Sequence, residues 1–241
     1  MRIALVGYGK MGKAIEAIAI ERGHTISHRF DAHNPFLSSN IKPEDTDLAI
    51  EFTQPNLAVS HIEFAMKTGI PIVVGTTAWQ NSLDEVHKMV KQTNGSLLYA
   101  SNFSVGVNLF FALNEKLAQL MSNQNYDASI LEIHHLQKLD APSGTAVSLA
   151  NGIFKNHAKY SAWTLNEDDG KECEDFEIPI SAVRTDEVPG THTITYTSKI
   201  DSISITHEAF NRKGFATGAV IAAEFLLHKK GVYTMSDVLN I

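Results

Sequence analysis

Cysteine is almost absent from this sequence. Cys173 stands alone, which excludes a disulfide framework and a cysteine-based zinc site. Basic residues are in deficit, 20 Lys and Arg against 27 Asp and Glu, for a formal net charge of −7. A chain of that sign is not built to coat nucleic acid or an anionic membrane surface, although a local basic pocket is compatible with it. No apolar run approaches the roughly 20 residues of a membrane span. The opening Met1-Arg2-Ile3-Ala4-Leu5-Val6 runs straight into glycines without a cleavage region, so no secretory signal is expected. A reducing, cytoplasmic setting is the expectation, and no metal is expected. What is present is 44% hydrophobic residues over 241 positions, enough to bury a core in one large or two modest domains.

The first hundred residues alternate strand and helix. Arg2 to Val6 is a short apolar run of the kind buried on both faces of a parallel sheet. Gly7-Tyr8-Gly9-Lys10-Met11-Gly12 follows, then a helix-period segment from Lys13 to Glu21 closed by Gly23, then a strand from His24 to Phe30 ending at Asp31. Glycines so spaced between strand and helix, with a carboxylate about 20 residues on, are the dinucleotide-binding context. Gly7 permits the tight turn, Gly9 lets backbone approach a pyrophosphate, and Gly12 allows close helix–strand packing. A carboxylate at Asp31 accepts bonds from the adenosine ribose and repels a 2′-phosphate. Ala32 supplies no arginine to hold that phosphate, which leaves Arg29, two residues back on the same strand face, as the substitute. NADH is therefore expected over NADPH.

Residues 33 to 46 read as a surface connection. Strands at 47–52, 70–74 and 96–100 alternate with helices at 56–68 and 82–92, which implies a parallel, doubly wound sheet. Ligands of such sheets sit beyond the carboxyl ends of the strands. Those ends carry Phe52-Thr53, Gly75-Thr76-Thr77 and Ser101-Asn102-Phe103, small polar groups and aromatics suited to a nicotinamide and its ribose.

The rhythm then changes. A long helix at 107–121 precedes a half-buried strand from Asp127, and Ser161 to Cys173 reads as a polar, acidic surface loop. Strands follow at 176–184, 192–196 and 202–206, the first two joined by Arg184 to Gly190 as a turn. This describes an α+β domain around an open mixed sheet, mainly antiparallel, with an exposed face that a subunit interface covers most simply. A last helix, Thr217 to His228, is expected to return to the first domain. The expected fold class is thus α/β, with a Rossmann dinucleotide-binding domain over 1–104 and 213–241 and a substrate-binding and oligomerisation domain over 105–212. Crossings near Phe103-Ser104 and Arg212-Lys213 would form a hinge with cofactor and substrate on opposite sides.

Glu132 to Thr145 concentrates the chemistry. In the strand from Asp127, Ile130, Glu132 and His134 fall on one face and Leu131, Ile133 and His135 on the other, so His134 shares its face with Glu132. After Lys138 the chain turns. Pro142 donates no backbone bond, and Ser143 is a good N-cap for an amphipathic helix through Thr145, Ala146, Leu149, Ala150 and Ile153. The free N–H groups of that helix start form a natural anion site, with Lys138 just upstream. The stretch offers a seat for a carboxylate or phosphate beside a group that moves protons near neutral pH. The bland alternative is a solvated loop with surface histidines.

Ser101-Asn102-Phe103-Ser104-Val105-Gly106-Val107-Asn108, the Glu132–Thr145 stretch, Gly75-Thr76-Thr77 and the ending Tyr233-Thr234-Met235-Ser236-Asp237-Val238-Leu239 resemble the dihydrodipicolinate reductase family, also called 4-hydroxy-tetrahydrodipicolinate reductases, of diaminopimelate and lysine biosynthesis. The likeness covers nearly the whole chain. It implies hydride transfer from NADH or NADPH to a cyclic, unsaturated dicarboxylate, with His134 as proton donor and Lys138 as second catalytic residue. It implies that His135, Gly144 and Thr145 hold substrate carboxylates; the residue chemistry adds Lys138 and the Ser143-Gly144-Thr145 helix start, which supply the cation and N–H donors that two carboxylates need. Gly7, Tyr8, Gly9, Lys10, Met11, Gly12, Asp31, Phe52, Gly75, Thr76, Thr77, Ala100, Ser101, Asn102 and Phe103 match cofactor contacts, and Arg212 and Phe215 match residues close to the cofactor at the hinge. A homotetramer is implied as well.

The sequence departs from the family pattern in three places. Leu136-Gln137 stands where many members carry Arg-His, Gln54 stands where an arginine is common, and the glycine loop is one residue shorter than in some members. The first two remove positive charge, and none removes a residue assigned to the chemistry. Two other readings stand beside the family reading: another two-domain dehydrogenase acting on a sugar or amino acid, which fits the first hundred residues equally well, and a redox sensor that binds dinucleotide and exposes a partner surface. The other dehydrogenase gives no reason for the Asp140–Thr145 loop beside His134, and the sensor predicts cofactor binding that is retained when His134 and Lys138 are altered.

Overall fold

The computed structural model describes residues 1–166, 173–211 and 213–241. In chain order its elements are β1 (Arg2–Val6), α1 (Lys10–Glu21), β2 (Thr25–Phe30), β3 (Leu48–Glu51), α2 (Pro55–Thr68), β4 (Ile72–Val74), α3 (Leu83–Thr93), β5 (Ser96–Tyr99), α4 (Val105–Met121), β6 (Asp127–His134), α5 (Gly144–Asn156), β7 (Ala162–Leu165), β8 (Glu177–Arg184), β9 (Gly190–Thr197), β10 (Ser202–Ala209), α6 (Lys213–Leu226), β11 (Gly231–Tyr233) and α7 (Met235–Leu239). They divide into two compact units, Met1–Asn108 with Lys213–Ile241, and Leu109–Arg212.

The first unit is built on a six-stranded sheet in the order β11-β5-β4-β3-β1-β2, with every pair parallel. Alternation along β1 divides the core between its two faces. Ile3 and Leu5 pack with Ile15 and Ala19 of α1 and Ala219, Ala222 and Ala223 of α6, while Ala4 and Val6 pack with Ile62, Ala65 and Val86 of α2 and α3. The small residues of α6 let it lie close, and a Cβ at Gly218 would sit 1.6 Å from the Phe103 carbonyl oxygen. Local chemistry bounds the helices. Pro55 opens α2 where no N–H is needed, and Gly69 ends it at φ +75°. Asp84 and Glu85 lie at the start of α3 and Lys91 near its end, as the helix dipole favours.

Two features of this unit were not read from the sequence. Residues 33–46 are not merely a surface connection, because a 3₁₀ turn at Phe36–Ser38 buries Phe36 and the following stretch buries Ile41. Burying a phenylalanine is worth about 2–3 kcal/mol, enough to pin a polar loop to the sheet. The sheet also has a sixth strand, β11, three residues long and too short for periodicity to reveal.

The second unit holds a five-stranded sheet in the order β10-β9-β6-β8-β7. The β10–β9 and β9–β6 pairs are antiparallel, whereas β6–β8 and β8–β7 are parallel. The sheet is therefore mixed in equal parts rather than mainly antiparallel. Since β6 lies between β8 and β9, the segment from Arg184 to Gly190 is a crossover past the end of β6, not a hairpin turn. The stretch expected as a loop at 161–173 contains β7, and the rest of that expectation falls partly on 167–172, outside the described residues. The inward residues Ala128, Ile130, Ile178, Ile180, Ile194 and Tyr196 pack beneath Ala146, Leu149, Ala150 and Ile153 of α5. Among the described residues, no helix is long and apolar enough to cross a membrane.

Candidate active site

The glycine loop of the first unit is compressed where the sequence puts glycine. A Cβ at Gly7, whose φ is +96°, would lie 2.0 Å from the Phe52 carbonyl oxygen, and one at Gly12 would lie 2.4 Å from the Gly7 carbonyl oxygen. Gly9 has open space around its own, so the exposed rim of the loop admits a bulky ligand against backbone. Gly9 is the N-cap of α1 and supplies no side-chain cap, leaving the helix start to an outside acceptor. A cavity of about 430 Å³ on one side is lined by Gly7, Tyr8, Gly9, Asp31, Ala32, Phe36, Leu57 and His61. A second, of about 350 Å³, is lined by Lys10, Met11, Phe52, Gly75, Thr76 and Thr77. Both share Gly7, Gly9 and Thr53. An elongated ligand with phosphates at its middle fits this arrangement.

Gly75 is needed because a Cβ there would meet the Phe52 ring at 2.2 Å. Phe52 in turn lies against Phe103, ring centroids 5.7 Å apart. The Thr53 N–H donates to Thr76 Oγ1 at 2.7 Å, which ties the ends of β3 and β4 together. Asn102 Oδ1 accepts from Ser104 N at 2.9 Å, and the Asn102 carbonyl accepts from Asn108 Nδ2. These bonds shape the loop after β5 that includes Ala100 and Ser101. Phe215 is half-buried in the first turn of α6, whereas Arg212 lies outside the described residues. Asp31 is exposed. Its Oδ1 accepts from His33 N at 2.8 Å and Asn34 N at 3.0 Å, and these bonds hold its carboxyl below the usual range. Arg29 is already engaged, paired with Glu16 and seated over the Tyr8 ring, and the Tyr8 hydroxyl also bonds Glu16. Sequence reasoning missed Glu51 and His61. Glu51 is fully buried at the end of β3, with His61 Nδ1 3.2 Å from its Oε1, behind the first cavity.

In the second unit, strand register assembles a buried polar cluster. Alternation turns Ala128, Ile130, Glu132 and His134 of β6 inward, as the residue pattern implied. The antiparallel partner of Glu132 is His192, and the parallel partner of His134 is Arg184. Glu132 is fully buried. Both its oxygens accept from Ser143 N, at 3.1 and 3.0 Å, and Oε1 also accepts from Arg184 Nη2 at 3.0 Å. His134 Nδ1 and His192 Nε2 lie 3.6 and 3.7 Å from Oε2. Burial opposes the charge on Glu132, but the nearby His192 imidazole and hydrogen bonds from Ser143 and Arg184 together outweigh it and hold the carboxyl down at about 2.

Ser143 caps α5, its Oγ accepting from Ala146 N at 3.1 Å, and the same oxygen is 3.1 Å from His192 Nε2. The N–H and hydroxyl of Ser143 are thus engaged inside the protein. Gly144 is exposed and Thr145 half-exposed beside it, and they form the outward part of the helix start. Lys138 Nζ lies 2.7 Å from both Asp140 oxygens. His135 lines a small cavity with Glu187, Val188, Pro189 and Asn211.

The structure alters one sequence expectation about His134. Its imidazole is not poised near the free value of 6.5. Burial, helped by neighbouring His192, Lys138 and Arg184 and opposed by Glu132, pushes it down to about 4. Gly190 allows this crowding, since a Cβ there would sit 3.0 Å from His134 Nε2. Glu132, His134 and His192 also have the spacing of a cation-binding set, all ligand atoms lying within 4.8 Å of one another. The Arg184 guanidinium already supplies the positive charge at the carboxylate, so the cluster is electrostatically complete without a metal. His192, Arg184 and Gly190 were missed from the sequence. His192 and Gly190 follow the inward alternation of β9, but Arg184 and Gly190 border a segment read as a turn, and only the register brings all three to His134.

A parallel βα unit with a glycine-rich phosphate loop, and a separate α+β unit bearing a buried His–Glu cluster beside a lysine and an open helix start, define a nicotinamide-dependent oxidoreductase of small anionic substrates. Family models narrow the class. The model "Dihydrodipicolinate reductase, N-terminus" matches residues 1–103, and "Dihydrodipicolinate reductase, C-terminus" matches residues 106–239. The chain is 48% identical to the 4-hydroxy-tetrahydrodipicolinate reductase of Christiangramia forsetii, over 100% of this chain and 98% of that one. It is 36% identical to the enzyme of that name from Methanopyrus kandleri, over 81% of this chain and 72% of that one. Among solved structures, a dipicolinate-bound dihydrodipicolinate reductase from Paenisporosarcina sp. TG-14 shares the fold with a TM-score of 0.76 at 22% identity, covering 97% of each chain. An amine dehydrogenase from Mycobacterium smegmatis shares it with a TM-score of 0.60 at 12% identity, covering 96% of this chain and 94% of that one. The chain belongs to the dihydrodipicolinate reductase family.

Proposed function

We infer that the chain reduces 4-hydroxy-tetrahydrodipicolinate to tetrahydrodipicolinate in diaminopimelate and lysine biosynthesis. The buried Glu132–His134 pair beside Lys138 and an open helix start is the observation that carries the reading from family to chemistry. When bound in the glycine-loop cavities, the reduced nicotinamide supplies the hydride. Gly7, Tyr8, Gly9, Lys10, Met11 and Gly12 hold its phosphates, Asp31 its adenosine ribose, and Phe52, Gly75, Thr76, Thr77, Ala100, Ser101, Asn102, Phe103 and Phe215 its other half; Arg212 is assigned with them on the resemblance alone. Lys138, His135, Gly144 and Thr145 hold the two substrate carboxylates, and Ser143 fixes the helix start that presents Gly144 and Thr145. His134 delivers the proton that quenches the charge left by hydride addition. Because His134 is neutral in the free protein at pH 7, its protonation is coupled to arrival of the dianion, which favours the imidazolium.

NADH is the preferred donor in this reading. Asp31 repels a 2′-phosphate, and Glu16 and Tyr8 engage Arg29, the arginine two residues before it. The second unit carries the substrate site and a homotetramer contact. The outward face of its sheet presents Leu131, Val183, Thr193 and Thr206, an apolar and hydroxyl-bearing surface suited to another copy. The solitary Cys173 suits a reducing cytoplasm.

The test couples the protein to the synthase that makes the substrate from pyruvate and aspartate semialdehyde, with NADH and NADPH in parallel. Substrate-dependent loss of nicotinamide absorbance is expected, with kcat/KM roughly tenfold higher for NADH, about 1.4 kcal/mol, the scale of one exposed like-charge contact. Cofactor binding without turnover would move the assignment to a sensor or to another dehydrogenase, and equal efficiencies would remove the role given to Asp31.

A further inference from the structure

Strand β8 ends in a residue that no motif singles out. Arg184 is the register partner of His134, and only 18% of its side chain is exposed. Its Nη2 donates to Glu132 Oε1 at 3.0 Å and to the Asp140 carbonyl at 2.7 Å. Its Nε donates to the Lys138 carbonyl at 3.3 Å, and Nη1 donates to the Val183 carbonyl at 2.9 Å. The next backbone N–H, that of Thr185, donates to the His134 carbonyl at 2.9 Å. One planar fork therefore bonds the buried carboxylate beneath His134 and the main chain at two points of the loop that carries Lys138. Apolar burial does not hold that loop, because Leu136 and Leu139 are 60% and 97% exposed.

We propose that Arg184 is a positioning residue for the reduction, locking the Lys138 loop to Glu132 so that the Lys138 ammonium and the His134 imidazole share one rigid frame. The proposal rests on the assignment of His134 and Lys138 as the catalytic pair. A lysine at this position could pair with Glu132 but could not reach the carboxylate and both carbonyls at once, since an ammonium is a point charge without the guanidinium's fixed fork. A loop released by about 1 Å costs on the order of 10²-fold in rate when it carries a reacting group.

The experiment is a double-mutant cycle between Arg184→Lys and Lys138→Ala. Arg184→Lys keeps the charge opposite Glu132. It is expected to fold, to bind NADH with unchanged affinity, and to lose kcat on the order of 10–10²-fold. On the Lys138→Ala background the same change is expected to cost nothing further, because the group it positions is gone. A merely structural role predicts the same fractional loss on both backgrounds, and that result would overturn the proposal. Wild-type kcat in Arg184→Lys, with Lys138→Ala impaired, would overturn the positioning role alone. Wild-type turnover in Lys138→Ala would remove the catalytic pair and the proposal with it. If Arg184→Lys does not fold, Arg184→Gln, whose planar amide keeps a donor for Glu132 but cannot also bond the Lys138 and Asp140 carbonyls, takes its place in the cycle under the same criteria.

Discussion

At the scale of single residues, environment decides what a histidine can do. His134 and His135 are adjacent and chemically identical, yet strand alternation buries His134 against a carboxylate, while His135, just past the end of β6, lies beside a small cavity. The alternation was legible in the sequence. The pKa was not, because it depends on burial and on His192 and Arg184, which arrive from other strands. The consequence is measurable. With its pKa at about 4, His134 is unprotonated at pH 7, and in the proposed function a bound dicarboxylate raises its proton affinity. Binding of pyridine-2,6-dicarboxylate should therefore take up as much as about one proton per site near neutral pH. Calorimetric titration in buffers of different ionisation enthalpy reads this directly. The uptake should disappear in His134→Gln, and binding enthalpies independent of buffer in the wild type would contradict the coupling.

At the scale of elements, β6 and its partners combine a hydrophobic core at one end with a charged cluster at the other. Ala128 and Ile130 pack under α5, while Glu132 and His134 on the same face meet Ser143, His192 and Arg184. The Ser143 cap and the helix after it were readable because capping is local. The mixed sheet order was not, since pairing of β6 with both β8 and β9 is a non-local choice. The charged end makes stability depend on pH. His134 titrates at about 4 in the folded chain against 6.5 free, so the unfolded chain binds more protons between those values, and stability falls as pH drops from about 6.5 to about 4. Glu132 titrates at about 2 against 4.5, so its contribution is present above 4.5 and lost as pH falls from there towards 2. The unfolding free energy should drop by roughly 2–3 kcal/mol between pH 7 and pH 4 through His134. Urea denaturation at a series of pH values checks the slope, which should flatten over this window in His134→Gln. An unchanged slope in that variant would assign the acid sensitivity elsewhere.

At the scale of the whole molecule, the proposed function divides the work between the two units. The parallel sheet of the first was foreshadowed by the strand–helix rhythm and the glycine loop, whose spacing dictates geometry within about thirty residues. The short β11, the anchoring of 33–46 by Phe36, and the buried Glu51–His61 pair were hidden, because each depends on contacts made only after the chain folds. That proposed division of labour is also the central claim: cofactor affinity assigned to the glycine-loop cavities, and proton delivery assigned to the Glu132–His134 cluster. Turnover of His134→Gln, measured together with its NADH dissociation constant, tests this most directly. The expected result is a kcat lowered on the order of 10²–10⁴-fold, the usual range for loss of a general acid, with NADH binding unchanged. Near-wild-type kcat in that variant would contradict the account.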